Sequence, residues 1–273
     1  MCLWGAIVAV LIFTFVITPE ATAQRRGQRA TVPPLSEAEV ALYEPYTYNE
    51  MPYRLMKPIH FDAKKRYPVI VSLHGGDRGS DSRPDNQKQL RAWNKTLADE
   101  QLRTAYPSYV LAPRVERMWN AAALQKIKGI IAELPAVNMN RIYVLGHSMG
   151  GHGINILLQI DNEYFAAAAP SAGTGKADTG DFIDAELIKD IPIWAFHGDK
   201  DNTCPIGPQL TLFDEMKKLN GNMKLTIWAG DGHGVSAKFI TGGDNSTLHL
   251  SSDRCDPEPD FMQWLFSQRR NRK

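Results

Sequence analysis

The stretch IYVLGHSMGGHG, residues 142–153, decides the fold of this chain. Its first four residues are β-branched, aromatic or aliphatic, which predicts a short buried strand. The next five fit the pattern G-x-S-x-G, in which Ser148 occupies a strained strand-to-helix turn. Apolar residues then recur at helical spacing from Ile154 to Ile160, which predicts a buried helix that begins at the serine. Strand, turn and helix therefore follow one another in the order that the pattern requires.

The context of Ser148 favours a nucleophile. A glycine-rich turn with an incidental serine would give the same five letters, but the flanking strand and helix are what the pattern needs. Gly146 and Gly150 are expected to be obligatory, since a side chain at either would clash with the adjoining strand or helix. The N-terminus of the helix would point at the reacting centre and favour negative charge there.

Length and composition predict one globular domain. The chain has 273 residues, 43% of them hydrophobic, which is enough for a single large core. Its 31 basic and 30 acidic residues leave a formal charge of +1. This balance gives no reason to expect a nucleic-acid partner.

The N-terminus reads as a secretory signal. Residues 3–17 form an apolar run that is short for a membrane span, and Ala21-Thr22-Ala23 resembles a cleavage site. No lysine or arginine precedes the run, so an uncleaved N-terminal anchor is the alternative. Unless this segment stays uncleaved, we expect no stable membrane partner. Either way we expect a secreted or periplasmic location. The predicted segments are a signal peptide at 1–23, a flexible leader at 24–45 and a single domain at 46–273.

Strands and helices alternate along the predicted domain. An N-terminal hairpin is predicted at 53–56 and 59–61. Further strands are predicted near 67–73, 109–112, 142–145, 165–170, 193–198 and 225–228, with helices near 87–100, 121–134, 154–160, 210–219 and 261–265. This alternation predicts an α/β fold with a doubly wound, mostly parallel sheet. The loops at the carboxyl ends of its strands are expected to carry the site.

A serine nucleophile needs a histidine base and a carboxylate that orients the base. Asp201 follows the predicted strand at 193–198 and is our predicted acid. Asp199 is the alternative acid; if Asp201 has that role, Asp199 would cap or shape the same turn. His233 lies in a glycine-rich loop after the last core strand and is the predicted base. His249 lies in a polar segment with no strand directly before it, and His152 falls within the helix after Ser148.

Other groups are predicted around the same centre. The backbone N–H of Met149 and that of Gly76, in the His74-Gly75-Gly76 loop, are the predicted oxyanion donors. His74, His147 and Trp119 are predicted to line the substrate pocket, although burial in the core is an equally good reading of Trp119. No metal-binding spacing is present, and we expect no cofactor.

Two cysteines follow the predicted signal region. Cys204 and Cys255 would form a pair in an oxidising compartment, so we predict a disulfide between them. Two buried free thiols are the alternative.

The assembled motifs resemble the α/β-hydrolase superfamily. The order Ser148, Asp201, His233 is that of these enzymes. Within the superfamily, residues 51–55, 67–76, 140–151 and 197–201 are similar to the secreted esterases related to polyhydroxybutyrate depolymerases, feruloyl and acetylxylan esterases, and phospholipase/carboxylesterases. Residues 236–254 depart from that pattern as an insertion after the base, which would cover the site or be tied down by Cys204.

The resemblance implies a secreted serine esterase acting through an acyl-enzyme. Its partner would be an ester substrate, either a small molecule or an ester on a polysaccharide, lipid or polyester. Three alternatives stay open: a serine peptidase of the prolyl-oligopeptidase type, an acyltransferase, and a catalytically silent module that binds carbohydrate or protein. Fold and triad together leave the pocket undefined.

Overall fold

The computed structural model describes residues 34–76, 81–174 and 183–270. These residues form one sheet of nine strands: β1 (Glu44–Tyr48), β2 (Met51–Met56), β3 (Tyr67–Leu73), β4 (Tyr109–Pro113), β5 (Val137–His147), β6 (Ala167–Ser171), β7 (Ile193–Gly198), β8 (Met223–Trp228) and β9 (Ser246–Leu250). The helices around it are α1 (Glu37–Ala41), α2 (Ala92–Leu97), α3 (Glu100–Ala105), α4 (Ala121–Glu133), α5 (Met149–Ile160), α6 (Ala185–Ile188), α7 (Gly207–Lys218), α8 (Lys238–Thr241) and α9 (Phe261–Ser267). The described part of Thr31–Lys273 is one compact unit.

The strand order confirms the predicted doubly wound, mostly parallel sheet. It runs β1-β2-β4-β3-β5-β6-β7-β8-β9, and the strands from β4 to β8 in this order pair in parallel. In the described part of the chain, the antiparallel pairs are β1 with β2, β2 with β4, and β8 with β9. The carboxyl ends of the central strands therefore meet at one edge of the sheet, where a site is expected.

Both faces of the sheet are covered, so the central strands are apolar throughout. Side chains alternate between faces, and β3 places Val69 and Val71 in one core and Ile70 in the other. The first core includes residues of α4, α5 and α7, and the second includes residues of α2, α8 and α9. This double burial explains why β3, β6 and β7 read as continuous apolar runs.

The N-terminal hairpin was predicted at the wrong place. The structure pairs β1 with β2 instead, and residues 59–61 form no strand. The turn between them consists of Asn49 and Glu50, both with positive φ, which is the geometry of a tight two-residue hairpin. The predicted leader at 24–45 overlaps the start of β1, so the predicted domain contained a partner for β2 only on its C-terminal side.

Regular structure also begins before residue 46. The short helix α1 is capped by Ser36, whose side chain accepts the N–H of Glu39 while the Glu39 carboxylate accepts the N–H of Ser36. Arg54 then donates to the carbonyl of Tyr43 at 2.6 Å. The predicted leader is thus wrong from residue 37 onward. The predicted signal peptide at 1–23 lies outside the described residues.

The insertion at 236–254 adds an edge to the sheet. Its residues form α8 and then β9, which pairs with β8 from Ser246 opposite Trp228 to Leu250 opposite Lys224. The helix lies near the predicted base, and its Phe239 packs against Trp93 with ring centroids 5.6 Å apart. Within the described ranges, no helix combines the length and apolar character that a membrane crossing requires.

A buried lysine gives β8 a pH-dependent contribution to stability. The Nζ of Lys224 lies 3.6 Å from the centroid of the Trp194 ring and donates to the carbonyl of Glu258. Burial lowers the pKa of this ammonium from 10.5 to about 8. Between these values the unfolded chain holds a proton that the folded chain has released. The free energy of unfolding therefore rises with pH in this window.

We expect Lys224→Met to remove that rise. Denaturant unfolding of wild type and variant at about pH 7, 9 and 10 would measure it, since the window is set by the folded and unfolded pKa values. Lys217→Met, which removes an exposed lysine from α7, is the control and should keep the rise. A difference between wild type and Lys224→Met that stays constant across the window would contradict the assignment.

Candidate active site

The turn at Ser148 has the strain and close packing that the sequence pattern predicts. Ser148 joins β5 to α5 with φ 58° and ψ −121°, a conformation that non-glycine residues rarely adopt. A Cβ on Gly150 would lie 2.1 Å from the carbonyl oxygen of Leu73, and one on Gly146 would lie 2.8 Å from the backbone of Gly150. Both glycines are therefore needed to bring β3, the turn and α5 together. The Ser148 N–H donates to the carbonyl of Ser171 at 2.9 Å and fixes the turn to β6.

Gly150→Ala should destabilise the fold by about 1 to 3 kcal/mol or more, because its Cβ meets backbone that cannot move aside. Gly207→Ala, at the start of α7, is a matched control, since a Cβ there meets nothing within 4 Å. Chemical unfolding of both variants measures the difference. Equal stabilities would contradict the close packing at Gly150.

The structure brings the three predicted triad residues together. His233 lies just after β8, with Nε2 2.9 Å from the Ser148 Oγ and Nδ1 2.8 Å from the Asp201 Oδ2. An ionised carboxylate only accepts hydrogen bonds, so Nδ1 carries the proton and Nε2 is free to accept the serine hydroxyl proton. The Asp201 side chain is fully buried, while the His233 side chain keeps 21% of its exposure. The geometry is that of a nucleophile, a base and an orienting acid.

Hydrogen bonds keep the Asp201 carboxylate ionised despite its burial. Burial raises the pKa of Asp201, but the N–H of Cys204, the ring of His233 and the N–H of Thr203 together lower it below the ordinary value. Both N–H groups donate to Oδ1, at 2.9 Å and 2.8 Å. The second oxygen is left for His233.

The structure places the alternative acid, Asp199, and the alternative base, His249, away from the triad positions. Asp199 accepts the N–H of Gly230 at 2.7 Å, so it joins the acid loop to the loop that carries the base, whereas the sequence had predicted that it would shape only its own turn. A Cβ on Gly198 would lie 2.4 Å from the carbonyl of Asp231, so acid loop and base loop are in direct contact. His249 lies on the edge strand β9 and packs on Phe213.

The glycine loop after β3 lies beside the serine. A Cβ on Gly75 would be 3.4 Å from the Cβ of Ser148 and 3.2 Å from the carbonyl oxygen of His147. Met149 opens α5, where first-turn N–H groups have no partner within the helix. The N–H groups of Gly76 and Met149 stay our predicted oxyanion donors.

Comparison with known proteins supports one family. The model of the dienelactone hydrolase family matches residues 82–246, a segment that contains the serine turn, the acid loop and the base loop. This chain belongs to the dienelactone hydrolase family. The fold is accordingly that of the α/β-hydrolase superfamily, as the sequence motifs predicted.

Solved structures and a curated relative extend the comparison. The crystal structure of a thermostable esterase is 27% identical, with a TM-score of 0.62, and covers 85% of this chain and 64% of its own. The feruloyl esterase module from Clostridium thermocellum, 15% identical with a TM-score of 0.54, covers 74% of this chain and 87% of its own. The uncharacterized peptidase YuxL of Bacillus subtilis is 22% identical over 67% of this chain. This family member spans 33% of the length of that relative.

Two of the predicted pocket residues are buried in this dienelactone hydrolase family member. His74 and Trp119 each retain 1% of their exposure, so neither lines an open pocket. The N–H of Val115 donates to Nε2 of His74 at 3.0 Å, and the Nδ1 then donates to the carbonyl of Gly75 at 2.7 Å. The Trp119 ring packs so closely on Gly153 of α5 that a Cβ there would lie 2.2 Å from it. Both side chains support the glycine loop and the nucleophile helix from behind.

His147 is also buried, but it touches the base. Its ring centroid lies 4.7 Å from that of His233, and its Nδ1 is 3.1 Å from the Oγ of Ser171. Burial, followed by the nearby His233, lowers the pKa of His147 to about 3. A neutral ring therefore packs against the base and restricts its rotation.

The predicted disulfide is wrong. Cys204 and Cys255 are not joined. Cys204 lies in the loop after the carboxyl end of β7, whereas the Cys255 thiol contacts the carbonyl of Met223, at the opposite end of the neighbouring strand β8. A six-residue strand spans roughly 17 Å, and a disulfide needs Cα atoms within about 7 Å. Cysteine spacing along the chain does not reveal which end of a sheet each residue reaches.

Sequence reasoning missed two polar residues of the site. Ser171, at the end of β6, accepts the N–H of Ser148 and contacts the ring of His147. His197, at the end of β7, lies 3.5 Å from the Asp201 carboxylate. The signal for His197 was present, because it begins the same His-Gly-Asp stretch that supplied the acid. Ser171 had no distinguishing signal.

A cavity of about 390 Å³ lies at the ends of β2 and β4. Its lining includes Val115, whose backbone N–H donates a hydrogen bond to His74 behind the glycine loop. Arg117 and Lys126 are among the charged residues that line it, together with Glu50 and Glu116. It includes none of the triad residues, so it adjoins the site without forming it.

Proposed function

We propose that the chain is a serine hydrolase that cleaves carboxylic esters through an acyl-enzyme. The observation that carries the proposal is the continuous set of hydrogen bonds from Ser148 through His233 to Asp201, with the serine on a strained turn. Membership of the dienelactone hydrolase family supports the hydrolase class. The similarity to a thermostable esterase supports esters as the substrate.

The residues act in two half-reactions. In the first, Nε2 of His233 takes the hydroxyl proton while Oγ of Ser148 attacks the ester carbonyl carbon. The resulting oxyanion accepts hydrogen bonds from the N–H groups of Met149 and Gly76. The intermediate collapses, the alcohol leaves with the proton from His233, and the acyl group stays on Ser148. In the second, His233 activates a water molecule that releases the acid.

Asp201 acts on the base throughout both half-reactions. It holds the proton on Nδ1 of His233 and stabilises the imidazolium that forms each time Nε2 takes a proton. Its ionised state at neutral pH suits this role. The chemistry requires no cofactor. The substrate would be a small-molecule ester or an ester on a polysaccharide, lipid or polyester.

A peptidase is the second candidate, favoured by the similarity to the uncharacterized peptidase YuxL. Ester and amide cleavage use the same triad but differ in the leaving group. Purified protein should hydrolyse p-nitrophenyl acetate much faster than N-acyl peptide p-nitroanilides. The reverse preference would replace the esterase proposal with a peptidase.

Product analysis with a competing alcohol would separate hydrolysis from acyl transfer. Lack of turnover on both the ester and the anilides would favour a silent binding module.

We also propose that the protein acts outside the cytoplasm. The apolar run at 3–17 and the Ala21-Thr22-Ala23 sequence support export. Expression in a host with a signal peptidase, followed by N-terminal sequencing, tests this. A new N-terminus at Gln24 is the expected result, and a retained Met1 would indicate an uncleaved segment.

A further inference from the structure

His197 is a buried histidine to which the proposed mechanism gives no role. It lies next to the last residue of β7 and has no exposed surface. Its Nε2 is 2.8 Å from the carbonyl oxygen of Cys204 and 3.5 Å from Oδ2 of Asp201. Both partners are acceptors only, so Nε2 carries a proton and points between them.

The loop between β7 and Cys204 is closed by two groups. Asp201 accepts the N–H of Cys204 on Oδ1, and His197 donates to the carbonyl of the same residue. The backbone of Cys204 is thus held from its amide by the acid and from its carbonyl by the histidine. Because the acid is oriented by the N–H groups of Thr203 and Cys204, anything that fixes Cys204 also fixes the carboxylate.

The other nitrogen of His197 shows that the ring is not there for packing alone. Among the described residues, its Nδ1 is buried and has no hydrogen-bond partner. A leucine or phenylalanine would fill such a space without burying an unsatisfied polar atom. The bond from Nε2 is therefore the feature that offsets this cost.

The ring must also be neutral to help the acid. Burial lowers the pKa of His197, against the opposing effects of the Cys204 carbonyl and of Asp201, while His233 lowers it further. A charged ring 3.5 Å from Asp201 would give the carboxylate a second cation. That cation would compete with the imidazolium that His233 becomes during the reaction. A neutral N–H donor holds the loop without this competition.

We infer that His197 is a positioning residue, which fixes the Cys204 carbonyl so that Oδ2 of Asp201 stays directed at His233. The inference rests on the proposed function of the triad. His197 touches neither the substrate nor the reacting atoms. It acts through the orientation of the acid alone.

Three substitutions test the role. His197→Gln places an amide N–H near the position of Nε2, whereas His197→Asn reaches only the position of Nδ1, and His197→Leu has no donor. The Leu and Asn variants should lose about 10- to 100-fold in kcat with little change in KM, because a misplaced acid weakens the transition state. The Gln variant should stay within a few-fold of wild type. A Gln variant that folds and loses as much as the other two would overturn the inference.

Two further measurements separate positioning from a merely structural role. The acid limb of the kcat/KM profile, which reports protonation of the base, should move to lower pH in the Leu and Asn variants but not in the Gln variant. The far-downfield proton resonance of the His233 Nδ1–H should be present in wild type and the Gln variant and lost in the other two. A Leu variant that keeps this resonance would overturn the inference.

The proton resonance does not depend on ester hydrolysis. Wild type and the three variants could show the expected pattern of resonances while wild type turns over no ester. In that case the proposed function fails and the positioning role stands. If wild type turns over esters and the Leu variant matches it in kcat and resonance, the positioning role fails alone.

Discussion

Ser148→Ala abolishes ester hydrolysis in our account, lowering kcat on p-nitrophenyl acetate by on the order of 10⁴- to 10⁶-fold. The physical reason is that Oγ of Ser148 is the atom 2.9 Å from the base, and alanine leaves the base with nothing to deprotonate. The fold should be unaffected, because the backbone N–H of residue 148 still donates to the Ser171 carbonyl.

Ser246→Ala is the matched control, since it removes a hydroxyl from the exposed edge strand β9. Its activity should equal that of wild type. Steady-state kinetics and thermal unfolding of both variants make the comparison. A Ser148→Ala protein that is folded and still turns over the ester at the wild-type rate would exclude Ser148 as the nucleophile.

Asp201→Asn is expected to lower kcat by on the order of 10³- to 10⁴-fold with little change in KM. An amide in place of the carboxylate donates to Nδ1 of His233 and moves the proton to Nε2. The base then presents a proton to Ser148 instead of a lone pair. The distance of 2.8 Å between Nδ1 and Oδ2 makes this inversion direct.

Asp199→Asn is the control for this variant because it lies two residues away on the same loop. Its side-chain oxygen can still accept the N–H of Gly230, so kcat should stay within a few-fold of wild type. Steady-state kinetics of the two variants, measured on the same ester, separate the two acids. Equal losses in the two would show that the loop, and not the acid of the triad, is what the substitutions disturb.

Strands could be predicted from the sequence where both of their faces are buried, because such strands are apolar throughout. β7 coincides with the predicted strand at 193–198 because an element covered on both faces is apolar throughout. β9 was missed, since all five of its residues are exposed and just two of them, Leu248 and Leu250, are apolar. β1 was missed because its pairing depends on a turn with positive φ at Asn49 and Glu50. Edge strands depend on pairing more than on their own composition.

The site was predictable at the residues that chemistry and chain order both specify. The serine pattern, the acid after β7 and the histidine after β8 each follow the end of a strand, so one edge of the sheet gathers them. The pocket and the disulfide were not predictable in this way. Burial of His74 and Trp119, and the separation of Cys204 from Cys255, depend on how loops pack in three dimensions.

The central claim is that Ser148 is the group that becomes acylated. A fluorophosphonate reacts with a serine only where a base and oxyanion donors activate it, so the site of its adduct reports the nucleophile directly. The protein would be labelled, digested and analysed by mass spectrometry. Our account predicts a single adduct, on the peptide that contains Ser148, and none in Ser148→Ala. An adduct on a different residue, or none at all in a protein that hydrolyses esters, would contradict it.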